Sequence, residues 1–252
     1  MKHAKLSPSS AHRWLVCPGS VAANWGAVRK DSVWALEGTS AHGLLEVCLR
    51  LGTDPTAHLG SNLEPGHMPV TEDMADAVGY ALDYTSGYMQ NNPGTVMHVE
   101  QTLVIGPQVG AKAEDLFGYG DIVLENERKG EAVAIDYKHG IGNLITVRKN
   151  PQLLLYLLGV RQRKRYRRYR AVVIQPRLPR RKPVQEAPAL TDAQLVKWAN
   201  DVVRPMIPIA LSKNAPRVAG SHCRYCAANG NCPAQYERVI EAAQKEFANV
   251  RL

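Results

Sequence analysis

The sequence predicts an α/β fold with a mixed central sheet flanked by helices, on three observations. Apolar residues recur at helical spacing through the first ninety positions. They change to strand-like runs between Met97 and Tyr137, and the runs are separated by turn-forming residues. A helix, a short strand and further helices follow, an order that suits a mixed sheet.

Taken in order, the chain opens with a helical segment after Ser7 and Ser9, which are expected as its caps, running to about Asn24. Trp34 to Leu51 reads as an amphipathic helix, because Ala41, Leu44, Leu45, Cys48 and Leu49 fall on one face. Gly52 to Pro69 is rich in Gly and Pro and is expected as loop. Thr71 caps a helix to Gln90 that has acids in its first turn. Met97–Ile105, Tyr119–Leu124 and Ala132–Tyr137 are expected strands, followed by an apolar helix, Gln152–Val160, and a short buried strand, Ala171–Gln175. Thr191 to Lys213 is expected to be mostly helical, kinked or broken at Pro205 and Pro208. A cysteine-rich loop and a helix, Ala234 to Phe247, end the pattern.

With 252 residues and 45% apolar side chains, a real hydrophobic core is expected. No run approaches the ~20 apolar residues that cross a bilayer, and the first ten residues lack the apolar region of a signal peptide. The expectation is therefore a cytoplasmic protein without a membrane partner. The net charge of +8 favours polyanionic partners, chiefly nucleic acid or an anionic membrane surface. Five cysteines, an odd number, argue against a disulfide framework and for metal or cluster ligation.

Cys223, Cys226 and Cys232 form C-x2-C-x5-C, with small and polar residues between them that permit a tight loop. A four-thiolate site needs one more ligand, and Cys17, before Pro18 and Gly19, is the natural fourth. Such a site would staple the two ends of the chain together. Cys48, on an apolar helix face, reads as a core residue. Four thiolates suit zinc or a 4Fe–4S cluster alike, and the spacing does not choose between them.

Gly118-Tyr119-Gly120-Asp121 opens one strand and Ala134-Ile135-Asp136-Tyr137-Lys138 ends the next. Two carboxylates and an ammonium thus reach one end of a sheet, with Asp136 and Lys138 on one strand face. Paired carboxylates bind Mg²⁺ or Mn²⁺, which polarises a phosphate and acidifies a water, and the lysine can position that water. His42 is one helical turn from Glu46 and is a candidate further ligand. Gln152 and Tyr156 also stand one turn apart, where they can order the lysine or touch substrate.

The order His42, Gly118-Tyr119-Gly120-Asp121, Asp136-Tyr137-Lys138, Gln152-x3-Tyr156 and the split cysteine set resembles the RecB-like branch of the PD-(D/E)XK nucleases. It looks most like the iron–sulfur members, the AddB nuclease domain and the Cas4-type exonucleases, and the likeness spans about residues 7 to 236. The opening Ser7-Pro8-Ser9-Ser10-Ala11-His12-Arg13-Trp14-Leu15-Val16-Cys17-Pro18 is similar to a family common in phages and prophages. The resemblance implies a restriction-endonuclease-like sheet in a single nuclease domain over residues 1–252, with 1–33 and 214–252 forming a cluster-binding lobe. It implies His42, Asp121, Asp136 and the Tyr137 carbonyl as metal ligands, Lys138 as the catalytic lysine, and 4Fe–4S rather than zinc on Cys17, Cys223, Cys226 and Cys232. Many relatives have Glu where Asp136 stands, and the family accepts either. Glu46 and Glu100 are left as supporting carboxylates.

Arg161, Arg163, Lys164, Arg165, Arg167, Arg168 and Arg170 surround Tyr166 and Tyr169, with Arg177, Arg180, Arg181 and Lys182 beyond. This tract is expected to follow a DNA backbone, its tyrosines stacking on bases. The combined expectation is a metal-dependent DNA exonuclease of phage or prophage recombination or repair in a bacterial host. Its partners would be DNA and a phage recombination or single-strand-binding protein. The rival expectation is a non-catalytic DNA-binding or assembly module that keeps fold and cluster.

Overall fold

The computed structural model describes residues 4–27, 32–178 and 182–248. The first helices are short: a 3₁₀ turn Pro8–Ser10, then α1 (Ala11–Trp14) and α2 (Ser20–Asn24). Ser7 and Ser9 do not cap them through their side chains. Their hydroxyls bond each other at 2.7 Å, while the Ser7 carbonyl accepts from Ser10 Oγ and Trp14 Nε1. The long helices α3 (Val33–Leu51) and α4 (Glu72–Asn91) follow, and Thr71 caps α4 by accepting from the Met74 amide. A 3₁₀ turn, Pro55–His58, lies in the loop between them.

The sheet begins with β1 (Val96–Val104), then a turn of helix α5 (Gly106–Val109), β2 (Phe117–Asn126) and β3 (Glu131–Tyr137). Helix α6 (Pro151–Arg163) carries the chain from β3 to β4 (Arg168–Ile174). Two short strands that the sequence pattern did not predict, β5 (Val184–Glu186) and β6 (Leu190–Thr191), both pair with β4. The order is β1-β2-β3-β4-β5, antiparallel except that β3 and β4 are parallel. The chain is therefore a mixed α/β protein with a six-stranded mixed sheet flanked by helices. Helices α7 (Asp192–Trp198), α8 (Met206–Ala210) and α9 (Pro233–Ala248) complete it. A π-helical turn, Ala199–Val203, ends α7 just before Pro205. Pro208 lies in the first turn of α8, where a missing amide hydrogen costs no intrahelical bond.

Strand alternation divides the core in two. Val123, Ala132, Ala134, Ala171 and Val173 face α6, whose apolar residues from Leu153 to Val160 are all buried. Ile122, Leu124, Val133, Ile135 and Tyr137 face α3 and α4. Trp14 and Leu6 belong to the first layer, so the N-terminal segment packs into the main core. Cys48 is buried in the second layer, as a core cysteine. Gly19 donates its amide to the Pro216 carbonyl at 2.8 Å, and a Cβ there would stand 2.7 Å from the Ala215 carbonyl oxygen. Only glycine allows this join between the two ends of the chain. Among the described residues, no helix is long and apolar enough to cross a membrane.

Candidate functional site

Ile122 of β2 pairs with Ile135 of β3. One residue beyond that pair, in opposite chain directions, stand Asp121 and Asp136, so the antiparallel register delivers both carboxylates to one end of the sheet. The Tyr137 amide donates to Asp121 Oδ2 at 2.7 Å, which fixes that carboxylate on the strand end. Helix α3 brings in His42, whose Nδ1 lies 3.5 Å from Asp121 Oδ1. Gly118 admits this arrangement from the other layer: a Cβ on it would stand 2.8 Å from Pro8 and 3.0 Å from the Tyr156 ring.

A third carboxylate joins them. Glu100 lies in β1 between Val99, which pairs with Ile122, and Gln101, which pairs with Gly120, so it stands beside Asp121. Its φ is +50°, a left-handed conformation that costs a non-glycine residue about 1–3 kcal/mol. Ligand atoms of His42, Glu100 and Asp121 lie within 4.8 Å of one another, close enough to hold one metal ion. Sequence reasoning left Glu100 in a supporting role, because a lone glutamate in a strand carries no signal. The strained backbone that aims it at Asp121 is visible only in three dimensions.

Asp136 adjoins this triad without being one of the three. Its Oδ1 accepts from Lys138 Nζ at 2.9 Å and from Gln152 Nε2 at 2.8 Å. Its Oδ2 is buried, and among the described residues nothing donates to it. Gln152 Nε2 also donates to the Tyr156 hydroxyl at 3.0 Å. The structure thus brings His42, Asp121, Asp136, Tyr137, Lys138, Gln152 and Tyr156 to one end of the sheet.

The charges here are unbalanced. Burial, with the Asp121 charge beside it, pushes Glu100 up to about 7. Burial also raises Asp136, despite the opposing pull of Lys138. Burial works against Asp121 as well, but His42, Lys138 and the Tyr137 amide outweigh it and hold its carboxyl below the ordinary value. His42 is raised because Asp121 overcomes the burial cost, and Lys138 is raised by Asp136 and Asp121 against its own burial. Burial pushes the Tyr156 hydroxyl well up. A divalent cation would relieve this excess of negative charge.

A groove of about 950 Å³ starts at Lys138 and Gln152 and runs past Arg148 and Lys149 to Arg224 and Tyr225. Among the described residues, none that lines it is acidic. Lys149, just before the α6 cap Asn150, has φ +56°, a second strained position.

The predicted basic tract lies elsewhere. Glu131 pairs with Arg168 in the β3–β4 register, so the tract occupies the sheet end opposite Asp136. Arg161 grips Asp192 with two bonds, Arg163 meets Glu125, Lys164 meets Glu127, and Arg168 and Arg170 meet Glu131. Tyr166 and Tyr169 are buried in the core and present no face to a base. Local density of arginine did not reveal these acidic partners, which are distant in the chain; Arg165 and Arg167 are exposed, and Arg167 donates to the Lys129 carbonyl. Arg177 bonds Glu37 and His139, while Arg180 and Arg181 lie outside the described residues.

Cys17, Cys223, Cys226 and Cys232 line one small cavity beside Gly19 and Ser20. Three of the sulfurs accept N–H hydrogen bonds at 3.3 Å: Cys17 from the Val218 amide, Cys223 from the Gly220 amide and Cys226 from Asn24 Nδ2.

Among solved structures, one described as "Crystal structure of SSO0001" matches with 16% identity over 89% of this chain and 96% of that one, at a TM-score of 0.34. That likeness is too slight to bear on fold or function. The family model described as "Protein of unknown function (DUF2800)" matches residues 3–252, nearly the whole chain, and the protein belongs to that family.

Proposed function

We propose that this protein is a divalent-metal-dependent deoxyribonuclease, acting as an exonuclease, with a RecB-like PD-(D/E)XK arrangement of its site. One observation carries the reading. His42, Glu100 and Asp121 converge within 4.8 Å beside Asp136, which has a buried oxygen without a donor, and beside Lys138, which is 2.9 Å from Asp136. The donor set fits a hard cation: carboxylate oxygens and one imidazole. His42, Glu100, Asp121, Asp136 and the Tyr137 carbonyl are the groups that would hold it.

Held by these residues, Mg²⁺ or Mn²⁺ would supply positive charge at the scissile phosphate and lower the pKa of a nearby water. The chain's own groups do the rest. Lys138, held by Asp136 and kept charged, orients the attacking water and donates to a phosphoryl oxygen. Gln152 ties Asp136 to Tyr156 through Nε2 and accepts from Lys138 at 3.5 Å through Oε1, so the lysine is held between Asp136 and Gln152. The acid-free groove beside Lys138 suits a phosphodiester strand, with Arg148, Lys149 and Arg224 toward its phosphates.

The four cysteines suit a four-thiolate centre, because all line one cavity and three already accept N–H bonds of the kind that stabilise ligated sulfur. We assign it to 4Fe–4S on the family resemblance, with zinc as the alternative. A brown protein with broad visible absorbance supports the former, and a colourless one with stoichiometric zinc after anaerobic purification supports the latter. A role in phage or prophage recombination rests on the opening motif.

The test is digestion of end-labelled single- and double-stranded DNA with Mn²⁺ and with chelator. Metal-dependent cleavage is expected, and Asp136→Ala abolishes it while leaving DNA binding largely intact. Cleavage by that variant at the wild-type rate overturns the site. No metal-dependent digestion of either substrate favours a non-catalytic DNA-binding module instead.

A further inference from the structure

His42 is the imidazole of the candidate metal site, and one contact to a carboxylate is its polar restraint among the described residues. Its side chain keeps 32% of its surface exposed and its Nδ1 stands 3.5 Å from Asp121. Metal-binding histidines ordinarily donate their second ring nitrogen to a carboxylate or carbonyl, which fixes the ring. Among the described residues, no such bond to His42 is present. Its orientation must come from packing and from the position of α3.

Tyr137 supplies both. Its backbone amide holds Asp121 Oδ2 at 2.7 Å. Its side chain points to the sheet face opposite Asp136 and is fully buried. There its ring meets the His42 ring edge-on, with centroids 5.4 Å apart and planes at 74°. Its hydroxyl lies 2.8 Å from His139 Nδ1. His139 Nε2 in turn lies 2.6 Å from an Arg177 guanidinium nitrogen, and that same nitrogen is 2.7 Å from Glu37 Oε1.

The protonation follows from the partners. Arginine only donates, so His139 Nε2 accepts, and Nδ1 carries the hydrogen that goes to the tyrosine oxygen. Glu37 lies on α3, five residues before His42. The contacts therefore close a loop: α3, Glu37, Arg177, His139, Tyr137, His42 and back to α3. The proposed nuclease reaction gives no role to the middle of this loop, and a surface ion pair would not need a buried histidine in it.

We propose that Glu37, Arg177, His139 and the Tyr137 side chain form a clasp that sets His42 against Asp121, making Tyr137 and Arg177 positioning residues for the divalent ion. This rests on the metal site proposed above. The clasp ties one helix to the strand end that holds Asp121, so severing it should loosen ion binding before it affects the fold.

The test is Mn²⁺ binding, read from the loss of the free-ion electron paramagnetic resonance signal, with nitrogen modulation of the bound ion reporting imidazole ligation. Tyr137→Phe removes only the hydroxyl, and Arg177→Met removes the bridge. Each is expected to weaken Mn²⁺ binding by about tenfold, the lower end for groups that orient a ligand, and to reduce the nitrogen modulation. Arg177→Lys keeps the charge and a donor and should recover most of the affinity. Tyr88→Phe, which loses a 3.1 Å bond to Glu131 at the far sheet end, is the matched control and should bind as wild type. If Tyr137→Phe and Arg177→Met bind Mn²⁺ as wild type does while His42→Ala does not, the clasp is wrong and the metal site stands. If His42→Ala also binds as wild type, the metal site itself is wrong and the clasp falls with it.

Discussion

The two ends of the central sheet carry acids of opposite character. At the Glu131 end, carboxylates meet their complement: Glu131 faces Arg168, Arg170 and Tyr88, Glu125 faces Arg163 and His98, and Asp192 faces Arg161. At the Asp136 end, Glu100, Asp121 and Asp136 gather around one lysine and one histidine; among the described residues Asp136 Oδ2 lacks a donor, as Glu125 Oε1 does at the other end. Where charge cancels within the chain, the residues serve the fold. Where it does not, the residues are the candidates for holding a cation. The comparison separates an arginine-rich structural seam from the candidate site more sharply than charge density along the sequence does.

The largest effect that would sharpen this contrast is metal stabilisation. With Mn²⁺ at a hundred times its dissociation constant, the folded state gains about 2.7 kcal/mol, or roughly 5–10 °C in Tm for a chain this long. Thermal unfolding with and without Mn²⁺ measures it. Asp121→Asn should erase the shift. An unchanged wild-type Tm would break the comparison. A smaller effect belongs to the other end. Arg170→Met leaves the buried Glu131 short of a charged donor and should cost about 2 kcal/mol in denaturant unfolding. It should leave Mn²⁺ binding unchanged, and a loss of Mn²⁺ affinity would show that the two ends are not independent.

A third test is a pH dependence. Glu100 sits at about 7 in the folded chain against an ordinary 4.5, so the native state holds its proton longer than the unfolded one does. Stability therefore falls as pH rises from about 4.5 to about 7. His42 is raised from 6.5, so its contribution is complete below that value and is lost as pH rises through the folded one. His139, lowered to about 4 by burial, opposes both up to about pH 6.5, so the readout is a difference: from pH 5.5 to 7.5 metal-free Glu100→Gln should lose less Tm than the wild type does. Equal slopes for the two proteins would remove Glu100 from the unbalanced end.

The same contrast explains what was legible in the sequence. Helices α3, α4 and α6 and strands β2 and β3 were readable because each is long enough for its apolar period to repeat, and Asp121, Asp136 and Lys138 came with the strands. Strands β5 and β6 were not, since three and two residues among prolines carry no period. β4 starts at Arg168, ahead of the apolar run that marked it, because Glu131 and Glu186 offset the arginines across the strands. Glu100 was hidden because its role comes from a backbone angle and a sheet neighbour. The acids that pair with the arginine tract were not legible because they are distant in the chain: Glu125 meets Arg163, and Glu131 meets Arg170.

The join between Gly19 and Pro216 also sets a schedule for biosynthesis. The cavity that the four cysteines line needs Cys17 and Cys232, which are 215 residues apart (232 − 17). At typical elongation rates of about 5–20 residues per second, the first thiol leaves the ribosome roughly 10–40 s before the last. The main sheet has its full complement of strands by residue 191, so it can form before this cavity closes. Closure is then a late event, and a chain released before residue 232 would leave Cys17 without its full set of companions.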